Sequence, residues 1–194
     1  MAYVGLRTSV FVPITGEKEN TLPTYGEAIK GHERLTSMKI SWQKSDGVLY
    51  ADDVIAEADN GVTGGSIEMG ADDLSKEFEK AALGVHVEGT GETEYLEDTD
   101  AIGTPGGYGY VQMKRYKGET SYIANFIYKV LFSKSDEEAK TKGEKIEFST
   151  PTVEGTIMGV FVDTSGSAKY RRRKEFKTYA EALTWLQGIY KGSV

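Results

Sequence analysis

Asp52 and Asp53 stand side by side in the chain, and paired carboxylates are the material of general acid–base catalysis. The residues around them, 48–56, read as a strand, in which neighbouring side chains point to opposite faces. The two are therefore poor partners for acid and base work on one substrate. His32 and His86 are far apart and lack the HExxH spacing of a zinc helix, so each reads as a surface or packing histidine. Asp98-x-Asp100 opens like a calcium loop, but Ile102 takes its fifth position and Gly109 its twelfth, where a Glu is needed. Gly89-x-Gly91 has Glu94 where a dinucleotide fingerprint wants glycine. Ser66, in GGSIE, is not a nucleophile elbow, and no GKS or GKT occurs. The absence of cysteine removes disulfides and thiolate metal sites. The expectation is a protein that is not an enzyme, with no catalytic residues, no metal site and no cofactor.

What remains is the chemistry of charge. Residues 45–75 hold eight acids (Asp46, Asp52, Asp53, Glu57, Asp59, Glu68, Asp72, Asp73) and no Lys or Arg, with Lys44 and Lys76 as brackets. The segment reads either as a solvated acidic hairpin or as a negative surface laid along something that should not stick. Residues 88–100 repeat the pattern with Glu88, Glu92, Glu94, Glu97, Asp98 and Asp100. Residues 169–177 (KYRRRKEFK) reverse it, with Lys169, Arg171, Arg172, Arg173, Lys174 and Lys177 against one Glu. Three readings of this run stand: nucleic-acid binding, a solvated strand edge protected from aggregation, or a contact with an acidic stretch on an identical neighbour. The net charge of −7 argues against general nucleic-acid binding, which needs a basic footprint.

The elements that would carry these charges are mostly strands. The chain has 23 glycines and only 4 prolines among 194 residues, which suits an all-β protein with many turns and bends. Residues 4–14 read as a strand or extended arm, with residues 1–25 a candidate N-terminal arm. Residues 37–43 alternate, Met38, Ile40 and Trp42 on one face against Lys39, Ser41 and Gln43 on the other. Asp46-Gly47 and Asn60-Gly61 are tight-turn signals, which predicts a three-stranded meander through residues 37–69. Asp72 or Asp73 is the expected cap of a short helix carrying Leu74, Phe78, Ala81 and Ala82 and stopping at Gly84. Residues 86–108 read as an acidic, glycine-rich loop, either mobile or a partner-binding arm. Residues 110–116 and 121–132 form a hairpin about Lys117-Gly118. In its second strand Tyr122, Ala124, Phe126, Tyr128, Val130 and Phe132 make one apolar face of a strand about 40 Å long, the expected centre of the core. Residues 133–143 read as a charged turn, and 145–149 with 152–163 as another hairpin-like pair. Thr178 and Glu181 make a capping box for a C-terminal helix with Tyr179, Ala182, Leu183, Leu186 and Tyr190 on its apolar stripe. The predicted fold is mainly β, an antiparallel β-sandwich or flattened barrel with one or two flanking α-helices, in a single domain over residues 1–194. No apolar run approaches the ~20 residues of a membrane span, and MAYVGLRTSVFVPI lacks the layout of a secretory signal, so no membrane partner is expected.

The blocks YVGLR and VFVPI, then LYADDVIAEADNGVTGGSIEMGADDLS with Ala82–Gly84 after it, then GYGYV, FIYKVLFS and DEEAKTKGEKIEFSTPTVEGTI, resemble in order and spacing the major tail proteins of siphophages infecting Gram-positive bacteria. The similarity covers roughly residues 1–163. It implies a structural virion protein whose hexameric rings stack into the tail tube, the conduit for genomic DNA during ejection. It further implies tape-measure, tail-terminator and distal tail proteins as partners, synthesis in the host cytoplasm, and DNA that passes without specific binding. In such a tube the acids Asp52, Asp53, Glu57 and Glu68 are the lumen-facing candidates, Asp53 and Glu57 sharing a face. Arg171, Arg172 and Arg173 with Glu92, Glu94 and Glu97 are the inter-subunit candidates. The competing expectation is a monomeric β-sandwich binding module for a receptor or glycan, which would share the Gly- and Tyr-rich composition.

Overall fold

A computed structural model describes residues 2–30, 34–51, 54–88, 94–96, 101–134 and 150–192. In chain order the strands are β1 (Ala2–Gly16), β2 (Thr24–Tyr25), β3 (Ile29–Lys30), β4 (Leu35–Lys44), β5 (Gly47–Ala51), β6 (Val54–Asp59), β7 (Val62–Ala71), β8 (His86–Glu88), β9 (Glu94–Leu96), β10 (Gly106–Tyr116), β11 (Glu119–Lys134), β12 (Thr152–Met158) and β13 (Arg171–Phe176). Helix α1 (Lys76–Phe78) runs into a π-helical turn, Glu79–Leu83, and α2 (Tyr179–Tyr190) closes the chain.

The main sheet is antiparallel in the order β2-β1-β10-β11-β12-β7-β4, with β3 beside β2 on β1 and β13 beside β12 on β11. It curls until β4 lies near β1, making a flattened barrel. The interior of the curl holds Phe11, Ile67, Met69, Tyr108, Ile127, Val130, Phe132, Val153 and Ile157, closed by Phe78, Ala82 and Leu83 of the first helical segment. Phe11, Phe78, Tyr108 and Phe132 meet edge to face at 5.5–5.9 Å, a geometry that adds to their area burial. On the outer side of β1, β10 and β11 a second core forms against α2. Val10, Val12, Val111, Ala124, Phe126 and Tyr128 pack on Ala182, Trp185, Leu186 and Ile189.

Several local expectations hold. Lys117 and Gly118 both take positive φ, 48° and 86°, and reverse the chain between β10 and β11. Gly84 ends the π turn at φ 73°. At α2, Glu181 N–H donates to the Thr178 hydroxyl at 3.3 Å, and Thr178 N–H donates to the Glu181 carboxylate at 3.2 Å. Its buried stripe is Ala182, Trp185, Leu186 and Ile189, with Tyr179, Leu183 and Tyr190 only partly covered.

Other expectations are corrected. Residues 37–69 are not a meander. β4 pairs with β7 and β5 with β6, so the segment is one long hairpin whose two turn dipeptides face each other, Gly47 opposite Asp59. Asp59 accepts the Gly61 N–H at 2.9 Å, and Ser45 N–H reaches the Gly61 carbonyl at 2.8 Å. The small, turn-prone residues break the ladder here instead of reversing it. Partner choice goes to the pairing that turns Met38, Ile40 and Trp42 inward with Ile67 and Met69. The first helix is capped by Ser75, whose Oγ accepts the Phe78 N–H at 3.2 Å, not by Asp72 or Asp73. Asp73 accepts the Leu74 N–H and Asp72 holds Arg34. The expected single apolar face of β11 is split: Ala124, Phe126 and Tyr128 face α2, while Val130 and Phe132 face the interior of the curl. The register against β10 steps from Tyr108↔Ile127 to Gly106↔Val130, and the extra residue in that bulge exchanges the faces.

The glycines of residues 103–109 are also not a loop beyond Pro105. Gly106, Gly107 and Gly109 are buried in β10. A Cβ on Gly106 would lie 2.4 Å from the Phe11 ring, and one on Gly107 would lie 2.5 Å from that of Phe126. The glycines admit aromatic rings from both cores, which is a packing role and not flexibility. Residues 4–14, read as strand or arm, lie in β1, which pairs with β10 from Ala2 to Pro13 and buries Val10, Phe11 and Val12. Residues 133–134 end β11, and β12 pairs with β11 and β7; the rest of the charged turn and the expected strand 145–149 lie outside the described residues.

Candidate functional site

β4 alternates from Ser37 to Gln43, β7 from Gly65 to Met69 and β12 along its length, covered on one face and open on the other. The register aligns their open-face residues into rows that run across the sheet. One row is Lys39, Glu68, Glu154 and Ser133; the next is Ser41, Ser66, Thr156 and Leu131. Between them lies a shallow groove of about 160 Å³ lined by the hydroxyls of Ser41, Ser66, Ser133 and Thr156, the carboxylates of Glu68 and Glu154, and Lys39. Glu68 and Glu154 are directly opposite each other and exposed, an arrangement that costs stability because like charges face across the ladder. Lys39 flanks the pair, with its Nζ 3.9 Å from the Glu68 carboxylate. Register places Lys129 on the same face, and it is held 2.6 Å from the Glu17 carboxylate. Both of these lysines thus carry a carboxylate partner, and the face offers no bare ammonium from either.

From this face the long hairpin continues into β5 and β6, which pair only with each other among the described residues. Glu57 lies on β6 opposite Leu49. Asp52 and Asp53 lie outside the described residues. Of the four lumen candidates, Glu68 is therefore the one seen on the open face. Glu154, Ser41, Ser66 and Thr156 were missed. The alternation of TVEGTI shows that Glu154 shares a face with Thr156, but only the register brings it opposite Glu68.

The basic run forms β13, and alternation divides it. The Arg171 guanidinium sits 5.3 Å from the Trp42 ring centre and hydrogen-bonds the Tyr110 hydroxyl, which burial nevertheless holds above the ordinary phenol value. Arg172 points the other way and lies over the Trp185 ring of α2 at 5.6 Å. Such stacking draws on the ring quadrupole and covers apolar surface with the guanidinium plane. Arg173 is exposed and follows Arg171 on the Tyr110 side. Glu175 accepts from the Ser121 hydroxyl at 2.6 Å and from Lys114 Nζ at 2.9 Å, contacts that lower its pKa, the Ser121 bond first. The six bases are therefore not one patch, a consequence that the alternation of a strand already implies. Glu94 is exposed on β9, opposite Glu88 in register, and no ion pair among the described residues joins it to the three arginines. Glu92 and Glu97 lie outside the described residues. His86 is exposed on β8 opposite Leu96, and His32 lies outside the described residues. Among the described residues no group of three or more His, Asp or Glu could hold a metal, and no helix is long and apolar enough to cross a membrane.

Comparison of the chain with protein-family models and with curated proteins finds no match in either. The functional reading therefore rests on the resemblance in sequence and on the geometry above.

Proposed function

We propose that the protein is the structural subunit of a phage tail tube, assembling with itself into rings that stack around the path of the DNA. The observation that carries this reading is the open face of β4, β7 and β12, built of hydroxyls and carboxylates, with Lys39 and Lys129 each beside an acid. A surface of this kind lets a polyanion slide, whereas bare Lys or Arg would grip phosphates at every ring. The hairpin of β5 and β6 supports self-association. A two-stranded hairpin is marginal alone in water, and this one pairs with nothing else among the described residues, so a neighbouring copy would supply the further strands it needs. Among the described residues β13 pairs with β11 alone, which leaves its other edge for a further strand.

Electron microscopy of the concentrated protein, alone and seeded with a tail-end complex, tests the reading: rings or tubes are expected. A chain that stays monomeric in both conditions and binds a glycan would instead be a β-sandwich binding module. The lumen assignment has its own test. Glu68→Lys with Glu154→Lys should leave tubes intact and slow DNA passage most at low salt, where phosphate contacts are strongest. Unchanged passage through tubes shown to carry both substitutions would place this face outside the lumen.

A further inference from the structure

β1 breaks its own alternation near its start. Its register against β10 steps from Arg7↔Val111 to Ser9↔Tyr110, leaving Thr8 as the extra residue of a bulge. Thr8 has φ 54°, a conformation that β-branched residues rarely adopt and that gathers at binding and catalytic sites. The bulge brings Arg7 and Thr8 together against the first residue of α2. The Arg7 guanidinium lies 5.8 Å from the centre of the Tyr179 ring, and the Thr8 and Tyr179 hydroxyls are hydrogen-bonded. Lys30 and Arg34 stand across from them, and together these side chains line a cavity of about 470 Å³.

Three cations from three separate segments thus share one cavity with the hydroxyl residues Thr8, Ser9 and Tyr179, and no carboxylate is among its described lining residues. Asp72, just outside, accepts the Arg34 backbone N–H at 2.8 Å and lies 3.6 Å from its guanidinium, which anchors that side chain at the rim. The concentration runs against the composition of the chain, which has 30 acids and 23 bases. Guanidinium forks, an ammonium and hydroxyl donors converging on one space are the donor set that recognises oxyanions. We propose that this cavity binds an oxyanion of the phosphate or carboxylate class, either a free small anion or an acidic side chain of a second copy.

The experiment is a titration of inorganic phosphate into the full-length protein at constant ionic strength, followed by amide chemical shifts. Saturable shifts centred on Arg7–Ser9, Lys30, Arg34 and Tyr179 are expected. Arg7→Gln with Arg34→Gln should weaken phosphate by about tenfold or more, from the loss of two charge-assisted contacts. Lys191→Gln, at the far end of α2, should leave it unchanged. Tyr179→Phe keeps the ring, removes one donor and should weaken phosphate by a smaller factor, so the proposal stays testable if the double variant does not fold. Absence of saturation in the wild type, or equal affinity in wild type and the folded variants, overturns the site. Given saturable binding, suppression of self-association by phosphate identifies the natural anion as a neighbour's carboxylate, and unaffected association identifies a free anion. Phosphate binding is read on the subunit itself, so its failure is separate from a failure of tube assembly.

Discussion

β11 and β7 lie two places apart in one sheet, yet their burial differs in kind. β11 is buried at every residue from Ile123 to Tyr128, because the curl covers one face and α2 the other. β7 alternates from Ser66 to Met69, because nothing among the described residues covers its outer face. The contrast separates two tasks. Where both faces are covered, every side chain contributes to stability and none is free to change. Where one face is open, polar residues can be chosen for what passes over them, even at the cost of facing Glu68 with Glu154.

The largest effect is expected in the doubly covered region. Phe126 is fully buried between Tyr25, Tyr128 and α2, and Phe126→Ala should cost about 3–5 kcal/mol in chemical denaturation. Ser66→Ala on the open face should stay within about 0.5 kcal/mol. A loss below about 1 kcal/mol for Phe126→Ala would remove the contrast. Next comes overpacking of the same region. Gly106→Ala places a methyl group against the Phe11 ring and 2.7 Å from the Val12 carbonyl, and should cost about 1–3 kcal/mol, with the melting temperature lowered accordingly. A melting temperature equal to wild type would mean that β10 has room to yield.

On the open face the sign should reverse. Glu154→Gln relieves a like-charge pair and should raise stability by about 0.2–1 kcal/mol at low salt, less at high salt. Destabilisation by that variant would show that the two glutamates do not face each other as described. The smallest effect concerns pH. Glu175 has a folded pKa below its ordinary value of 4.5, so its contribution is complete above that value and is lost as pH falls through the folded pKa. Glu175→Gln should flatten the acid limb of the stability profile below that ordinary value while leaving its shape near neutrality unchanged. An unchanged acid limb would mean that the Ser121 and Lys114 contacts do not persist in solution.

Signals completed within a few residues were legible. The capping box of Thr178 and Glu181, the reversal at Lys117-Gly118, the stop at Gly84 and the alternation of residues 37–43 each depend on neighbours in the chain, and each is found in the fold. The resemblance and the charge runs directed attention to the acidic hairpin, and Glu68 does lie on an open polar face.

Tertiary structure decided which strand met which. Asp46-Gly47 and Asn60-Gly61 have the chemistry of reversals, but a turn forms only if its flanking strands prefer each other, and β4 pairs with β7 so that Met38, Ile40 and Trp42 join Ile67 and Met69 in one core. Gly106 and Gly107 look like flexibility until Phe11 and Phe126, nearly 100 and 20 residues away in the chain, fill the space that a side chain would need. The bulges at Thr8 and in β11 leave no local signature, yet one exchanges the faces of the central strand and the other gathers Arg7 and Thr8 beside Tyr179. Composition and alternation determined that this chain forms strands with an acidic and a basic segment. The register between distant strands, set by the burial of both faces at once, decided which charges meet, which are spent on aromatic rings and which remain on the surface.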